Sequence, residues 1–324
     1  MIPYIFHTQA KEGITMKRNA RKLLALLLSI MLLFTACSQP TKMARPNPLS
    51  ENTALGDPIW QIENLPLENH FLIERDIYTI SYNNETHNPN WVSWHLDYDD
   101  FKTGGRHDSF RADDSLPAEW YKVDERAFKG SGFARGHMCP SGDRTTDENK
   151  NRDTFYMTNM VPQSPTNNSG AWETFERYIR LEHAEKGQEA YVICGPYGTG
   201  GESSKGKMNY ITATGTNSKG KSQKININVP AYTWKVVIIL DEGDDDINRI
   251  TADTEAFAVW MPNTKQCSYE EFNPHIISID YVEEMTGYDF FANLPDDIEE
   301  AIESRKHEDV IGFDTSKPWK DRYY

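Results

Sequence analysis

Two stretches carry residue types that can do chemistry. The first runs Ser131-Gly132-Phe133-Ala134-Arg135-Gly136-His137-Met138-Cys139-Pro140-Ser141-Gly142-Asp143-Arg144. It sets one histidine between an arginine–glycine pair and a turn-forming Pro-Ser-Gly. The second answers it downstream: Thr158-Asn159-Met160-Val161-Pro162-Gln163, then Asn167-Asn168-Ser169-Gly170-Ala171-Trp172-Glu173-Thr174-Phe175-Glu176. A lone histidine is more often structural. Followed about thirty residues later by an amide-rich loop that opens a helix, it fits metal-assisted hydrolysis of a phosphodiester.

That reaction needs an in-line nucleophile, a neutralised phosphate and a stabilised leaving oxygen. A neutral imidazole at His137 can deprotonate water near working pH. A divalent cation supplies the other two needs as a Lewis acid. Asn168 offers a neutral amide oxygen as ligand, and magnesium tolerates mostly water around it. With Trp172 opening a helix, Glu176 lies one turn further in and can reach the ion through water. Arg106 and Arg135 can grip phosphate oxygens bidentately. Cys139 is read as a buried free thiol, because its place relative to His137 is poor for mutual proton transfer.

The elements that must position these groups are legible as strands and one helix. Asp76–Tyr82 alternates and Asn90–Leu96 follows a turn, which predicts an antiparallel hairpin. Further strands are expected at Thr154–Thr158, Glu189–Cys194, Ile225–Val229, Thr233–Leu240 and Ala256–Trp260. Trp172 to Lys186 reads as a helix with Trp172, Phe175 and Ile179 on one face, capped by Asn168 or Ser169. Short helices are expected at Asp280–Met285 and Asp296–Ser304. Strands without regular intervening helices argue for an α+β fold, a mostly antiparallel central sheet flanked by helices. The loop from Gly201 to Lys224 carries five lysines and one acid; it either guides a polyanionic backbone or forms a solvated hairpin tip.

The chain begins with a short stretch before Met16, a basic start and an apolar run from Leu23 to Phe34, too short to span a bilayer and suited to an export signal. It ends Leu33-Phe34-Thr35-Ala36-Cys37, which resembles a bacterial lipobox and implies a lipid on Cys37. The expected organisation is an N-terminal extension and signal over 1–37, a flexible tether over 38–65, a catalytic domain over 66–310 and a tail over 311–324. The protein is thus expected to be exported and lipid-anchored to a bacterial membrane, periplasmic or at the cell surface. The net charge of -15 argues against tight binding of nucleic acid by the whole surface, but an enzyme that turns over needs only a local patch. The four cysteines include no C-x-x-C pair, which argues against a structural zinc finger; a Cys194–Cys267 bridge is open.

Arg135-Gly136-His137, Thr158-Asn159-x-x-Pro162-Gln163 and Asn168-x-x-x-Trp172-x-x-x-Glu176 resemble the DNA/RNA non-specific endonucleases, the ββα-metal (His-Me finger) nucleases. The likeness extends from about Asp76 to about Phe291 and includes Asn90-Trp91-Val92-Ser93-Trp94, Arg106-x-x-x-Phe110-x-x-Asp113 and Met261-Pro262-Asn263. It departs at Ala134, where the family often has aspartate before Arg-Gly-His. The resemblance implies cleavage of DNA and RNA with little base preference. It implies His137 as general base, Asn168 as the direct protein ligand to magnesium, with manganese or another divalent cation able to substitute, and Glu176 acting through water. It makes Arg106 the stabiliser of the transition-state phosphorus, and gives Arg135, Asn159 and Arg180 support roles near the phosphate or the metal shell. The partners expected are DNA and RNA, a membrane reached through the lipid, and a second copy in a homodimer. The competing reading is a non-catalytic nucleic-acid-binding lipoprotein on a nuclease fold, which would bind without metal and release no product.

Overall fold

The computed structural model describes residues 50–58, 66–216, 222–267 and 272–305. The export signal, Cys37, most of the expected tether and the tail lie outside them. In chain order the strands are β1 (Phe71–Arg75), β2 (Tyr78–Asn83), β3 (Asn88–Leu96), β4 (Ala134–His137), β5 (Met160–Gln163), β6 (Gln188–Tyr197), β7 (Gly201–Ser203), β8 (Gly206–Met208), β9 (Tyr210–Thr216), β10 (Ser222–Asn228), β11 (Tyr232–Asp241), β12 (Glu255–Pro262) and β13 (Ile276–Ile277). The helices are α1 (Glu148–Asp153), α2 (Pro165–Asn168), α3 (Ala171–Tyr178), α4 (Asp246–Arg249), α5 (Ile279–Thr286) and α6 (Asp296–Glu303).

Seven strands form one sheet in the order β1-β2-β3-β6-β11-β12-β13, with every pairing antiparallel. The interior strand β11 reads Thr233-Trp234-Lys235-Val236-Val237-Ile238-Ile239-Leu240 between its exposed end residues, and this whole run is buried. Its β-branched residues suit a pleated surface covered on both faces. The period of two divides them. Val237 and Ile239 join Phe257 and Val259 beneath Trp172 and Phe175 of α3, whereas Trp234, Val236 and Ile238 pack with Ile279 and Val282 of α5 and Ile302 of α6. The molecule is therefore α+β as expected, a sheet covered on each face by a different helical layer.

Strands β4 and β5 stand apart from the large sheet as a two-stranded ribbon, pairing Ala134 with Gln163 and His137 with Met160. The chain leaves β5 into α2 and α3, so ribbon and helix make a ββα unit. Helix α3 passes at Ile179–His183 into a wider turn and at Ala184–Lys186 into a tighter one. Gly187 closes it at φ 88°, a left-handed conformation that glycine takes without a Cβ penalty.

Several sequence expectations shift. Thr154–Thr158 is not a strand. Its start completes turns at the end of α1, Met157–Asn159 forms a 3-10 turn, and the strand begins at Met160, where the ribbon partner lies. The lysine-bearing loop resolves into the hairpins β7–β8 and β9–β10. Ile211, Ala213, Ile225 and Ile227 of the latter pack in a third apolar cluster with Phe128, Phe133 and Met160. Within the expected tether, residues 50–58 are docked rather than loose. Leu55 is buried, the Asn52 carbonyl accepts a 2.5 Å bond from Ser93 Oγ, and the Asn52 amide donates to the Arg75 carbonyl. Cys139, Cys194 and Cys267 are all buried free thiols, so the open Cys194–Cys267 bridge is not formed.

Candidate active site

His137 ends β4, where ribbon pairing fixes its backbone and Trp172 Nε1 of α3 donates a 3.1 Å bond to its carbonyl. Its ring packs against two aromatic side chains that also touch each other, at 4.9 Å between centroids. Phe155 meets it edge-on at 4.8 Å between centroids, and Phe110 lies at 5.7 Å. Each of these rings carries an arginine. The Arg106 guanidinium lies 4.8 Å over Phe155, and that of Arg135 lies 3.7 Å over Phe110. The imidazole thus packs against two adjoining arginine–aromatic stacks.

Burial, then the positive charges of Arg106, Arg135 and Lys235, push His137 down from its ordinary 6.5 to about 3. The ring is neutral at physiological pH. His137 is 9% exposed, and its Nε2 is covered and has no hydrogen-bond partner among the described residues. A buried polar atom without a partner is rare and asks for an explanation.

The sequence expectations meet at this ring to different degrees. Arg106 donates to Asp108 at 2.8 Å and to Ser141 Oγ at 3.0 Å, yet its side chain is 52% exposed. Arg135 is half-buried and faces Glu125 at 3.4 Å. Both line a cleft of about 600 Å³ with Phe110, Arg126, Lys129 and Ala134. Its four cationic residues outnumber Asp108 and Glu125, so the net charge of the chain is reversed locally.

Asn168 is the last residue of α2, beside β4, and is half-buried. Its carboxamide makes no hydrogen bond among the described residues, which leaves its oxygen available to an ion. It does not cap α3; Gly170 takes that position. Glu176 lies on the inner side of α3 with its side chain 10% exposed. Burial raises its carboxyl from 4.5 to about 7, against the opposing pull of Lys235 and Arg180. A half-free amide and a buried carboxylate near a neutral imidazole fit a magnesium ion held mainly by oxygen and water.

Two of the expected support residues are held by the protein itself. Asn159 is fully buried and its amide is spent on the backbone: it donates to the Cys139 and Thr154 carbonyls at 2.8 Å and accepts from Cys139 N at 3.0 Å. It pins the turn after His137 and has nothing left for a substrate. Arg180 donates to Asp143 at 2.5 Å, and Asp143 in turn accepts from Trp94 Nε1 at 2.9 Å. Arg180 therefore positions the wall beside Glu176.

Lys235 went unnoticed in the sequence. It is 1% exposed, and its ammonium lies 3.4 Å from Glu176, 3.2 Å from the Met138 carbonyl and 3.7 Å from the Trp172 ring centroid. A lysine inside an apolar strand buried on both faces was the available signal. Asp143 was visible only as a member of the turn after His137.

The comparisons with known proteins bear on the family and the fold. A model of the DNA/RNA non-specific endonucleases matches residues 62–297. The chain is 36% identical over 257 residues to a protein of Nostoc sp. named Nuclease, covering 79% of this chain and 86% of that one. It is 28% identical over 232 residues to human mitochondrial Endonuclease G, covering 69% of this chain and 70% of that one. A crystal structure of the EndoG/EndoGI complex superposes with a TM-score of 0.56 at 22% identity, covering 78% of this chain and 94% of that one, and so shares the fold. The chain belongs to the DNA/RNA non-specific endonuclease family.

Proposed function

We propose that this nuclease is magnesium-dependent and indifferent to the sugar, hydrolysing phosphodiester bonds of both DNA and RNA, and that it works outside the cytoplasm on a lipid attached to Cys37. The observation that carries the catalytic reading is the Nε2 of a neutral His137, unpartnered among the described residues, under the influence of Arg106 and Arg135.

His137 serves as the general base and takes the proton of the attacking water at Nε2. Asn168 holds the ion directly, and Glu176 holds it through water. When bound, magnesium or manganese neutralises the phosphate and stabilises the leaving oxygen. Arg106 and Arg135 grip the phosphate. The Arg106–Asp108 pair is largely exposed, and such pairs contribute little, so exchanging Asp108 for phosphate costs little. The same exchange makes the base stronger. A bound phosphate offsets the guanidinium charges that depress His137, so the imidazole gains basicity when substrate arrives. All these contacts go to phosphate, which carries no base identity, and this supports cutting without sequence preference.

The anchoring reading rests on the apolar run and Leu33-Phe34-Thr35-Ala36-Cys37. Among the described residues no helix is long and apolar enough to cross a membrane. The catalytic reading is tested by incubating purified protein with plasmid DNA and with RNA. Magnesium should give fragments of both polymers, EDTA should stop the cutting, and manganese should restore it. Both polymers remaining intact with magnesium across a range of pH would overturn the proposal and favour the binding lipoprotein.

A further inference from the structure

Helices α5 and α6 cover the opposite face of the sheet from the ββα unit. They bring Asp280, Glu283 and Glu303 together, with one carboxylate oxygen of each within 4.8 Å of the other two. Exposed acidic clusters are ordinarily solvated and need no ion. This one is graded from the surface inward. Asp280 is exposed, Glu283 is half-buried, and Glu303 is only 5% exposed. Glu303 Oε1 is covered and finds no hydrogen-bond partner among the described residues. The charged groups that bear most on this carboxylate are Glu283, Glu299, Asp280 and Asp289, all negative. Burial and these neighbours push the Glu303 carboxyl up to about 10, so the ionised cluster is unfavourable until a proton or a cation joins it, and a cation that binds there displaces the proton.

We propose that Asp280, Glu283 and Glu303 form a second divalent-cation site, suited to calcium, that clamps α5 to α6. The donors are all carboxylate oxygens, the set that hard cations take. Two oxygens on one calcium ion lie at most about 4.8 Å apart, twice a bond of roughly 2.4 Å. The observed spacing falls within the calcium limit. Glu283 Oε1 accepts a 2.7 Å bond from Phe290 N, which orients that carboxylate and leaves its second oxygen for the ion. Exposed Asp280 gives a route in from solvent and room for water to complete the shell. The site does not depend on the catalytic reading, since it uses none of the same residues.

The test is thermal unfolding of the full-length chain in EDTA and in added calcium chloride. An Asn168→Ala background removes ion binding at the active site. Calcium at about a hundredfold excess over Kd should raise Tm by roughly 5–10 °C. Glu303→Gln should abolish the rise. Asp280→Asn, at an exposed position that does not endanger folding, should weaken calcium binding by roughly tenfold or more in a direct titration. The proposal is overturned by no calcium-dependent rise in the Asn168→Ala protein, by an equal rise in both further variants, or by an equal rise with magnesium at the same concentration.

Discussion

The ammonium of Lys235 lies 3.4 Å from the carboxylate of Glu176, and neither side chain is more than 10% exposed. One residue comes from the interior strand β11 and the other from helix α3, so the pair joins the large sheet to the ββα unit. It also sets the electrostatics of the site. Lys235 stabilises the ionised form of Glu176 that an ion requires, and it helps keep His137 unprotonated. Removing one member of a buried pair leaves a charge without compensation. Lys235→Met should therefore destabilise the protein by about 3 kcal/mol and lower activity sharply. The double variant Lys235→Met/Glu176→Gln should recover much of the stability but none of the activity. Urea unfolding of the four proteins closes the cycle; additive losses would show that the pair is not coupled.

Gly136 sits in the ribbon one residue before His137, the proposed base. A Cβ there would lie 2.0 Å from Gln163 Oε1 and 2.6 Å from Gln163 Cβ. Gln163 is fully buried and cannot swing away. Gly136→Ala should thus push β4 from β5, with a loss of about 1–3 kcal/mol as for other overpacked sites. Activity should fall more than stability, because the displaced strand carries His137. Matched activity and melting assays check this; wild-type kcat in a destabilised variant would contradict it.

The depressed His137 has a consequence for pH. Its folded value is about 3 and its ordinary value 6.5, so across that window the unfolded chain binds a proton that the folded chain does not. Stability therefore rises with pH between the two values and is lost as the pH falls from 6.5 towards 3. His137→Gln should flatten this part of the stability curve. Imidazole resonances followed by NMR should show His137 neutral down to about pH 4, and inorganic phosphate should shift its titration upward. Titration near 6.5 without phosphate would contradict the burial and the influence of the guanidinium groups.

The thiols offer a test of the proposed lipid on Cys37. Cys139, Cys194 and Cys267 are free and buried, so a thiol reagent should react with them only after denaturation, and a reductant should leave Tm unchanged. With four cysteines in the chain, lipid on Cys37 leaves three titratable thiols in denatured mature protein from a lipoprotein-processing host. Four titratable thiols in that material would contradict lipidation.

Much of the fold was legible because local pattern and final structure agree. The β2–β3 hairpin, β11, β12 and the apolar face of α3 all follow from alternation or helical spacing. Three features depend on contacts distant in sequence. Residues 154–158 have strand-like composition, but the ribbon partner at Ala134–His137 pairs with Met160–Gln163 instead. Asn159 shares the stretch with the proposed catalytic residues, and only the folded chain shows its amide consumed by the backbone at Cys139 and Thr154. Leu55 and Asn52 lie in a polar, proline-containing stretch, and their docking depends on the edge made by Ser93 and Arg75. At the site, His137, Asn168 and Glu176 were visible as spaced residue types. The Lys235–Glu176 pair required the register of a strand nearly sixty residues away.

The most direct test of the catalytic claim is cleavage of supercoiled plasmid by wild-type protein and by His137→Ala, each with magnesium, with circular dichroism recorded on both. Removing an essential base should cost at least about a hundredfold in rate while the spectrum stays that of the wild type. A folded His137→Ala protein that cuts at the wild-type rate would contradict the account.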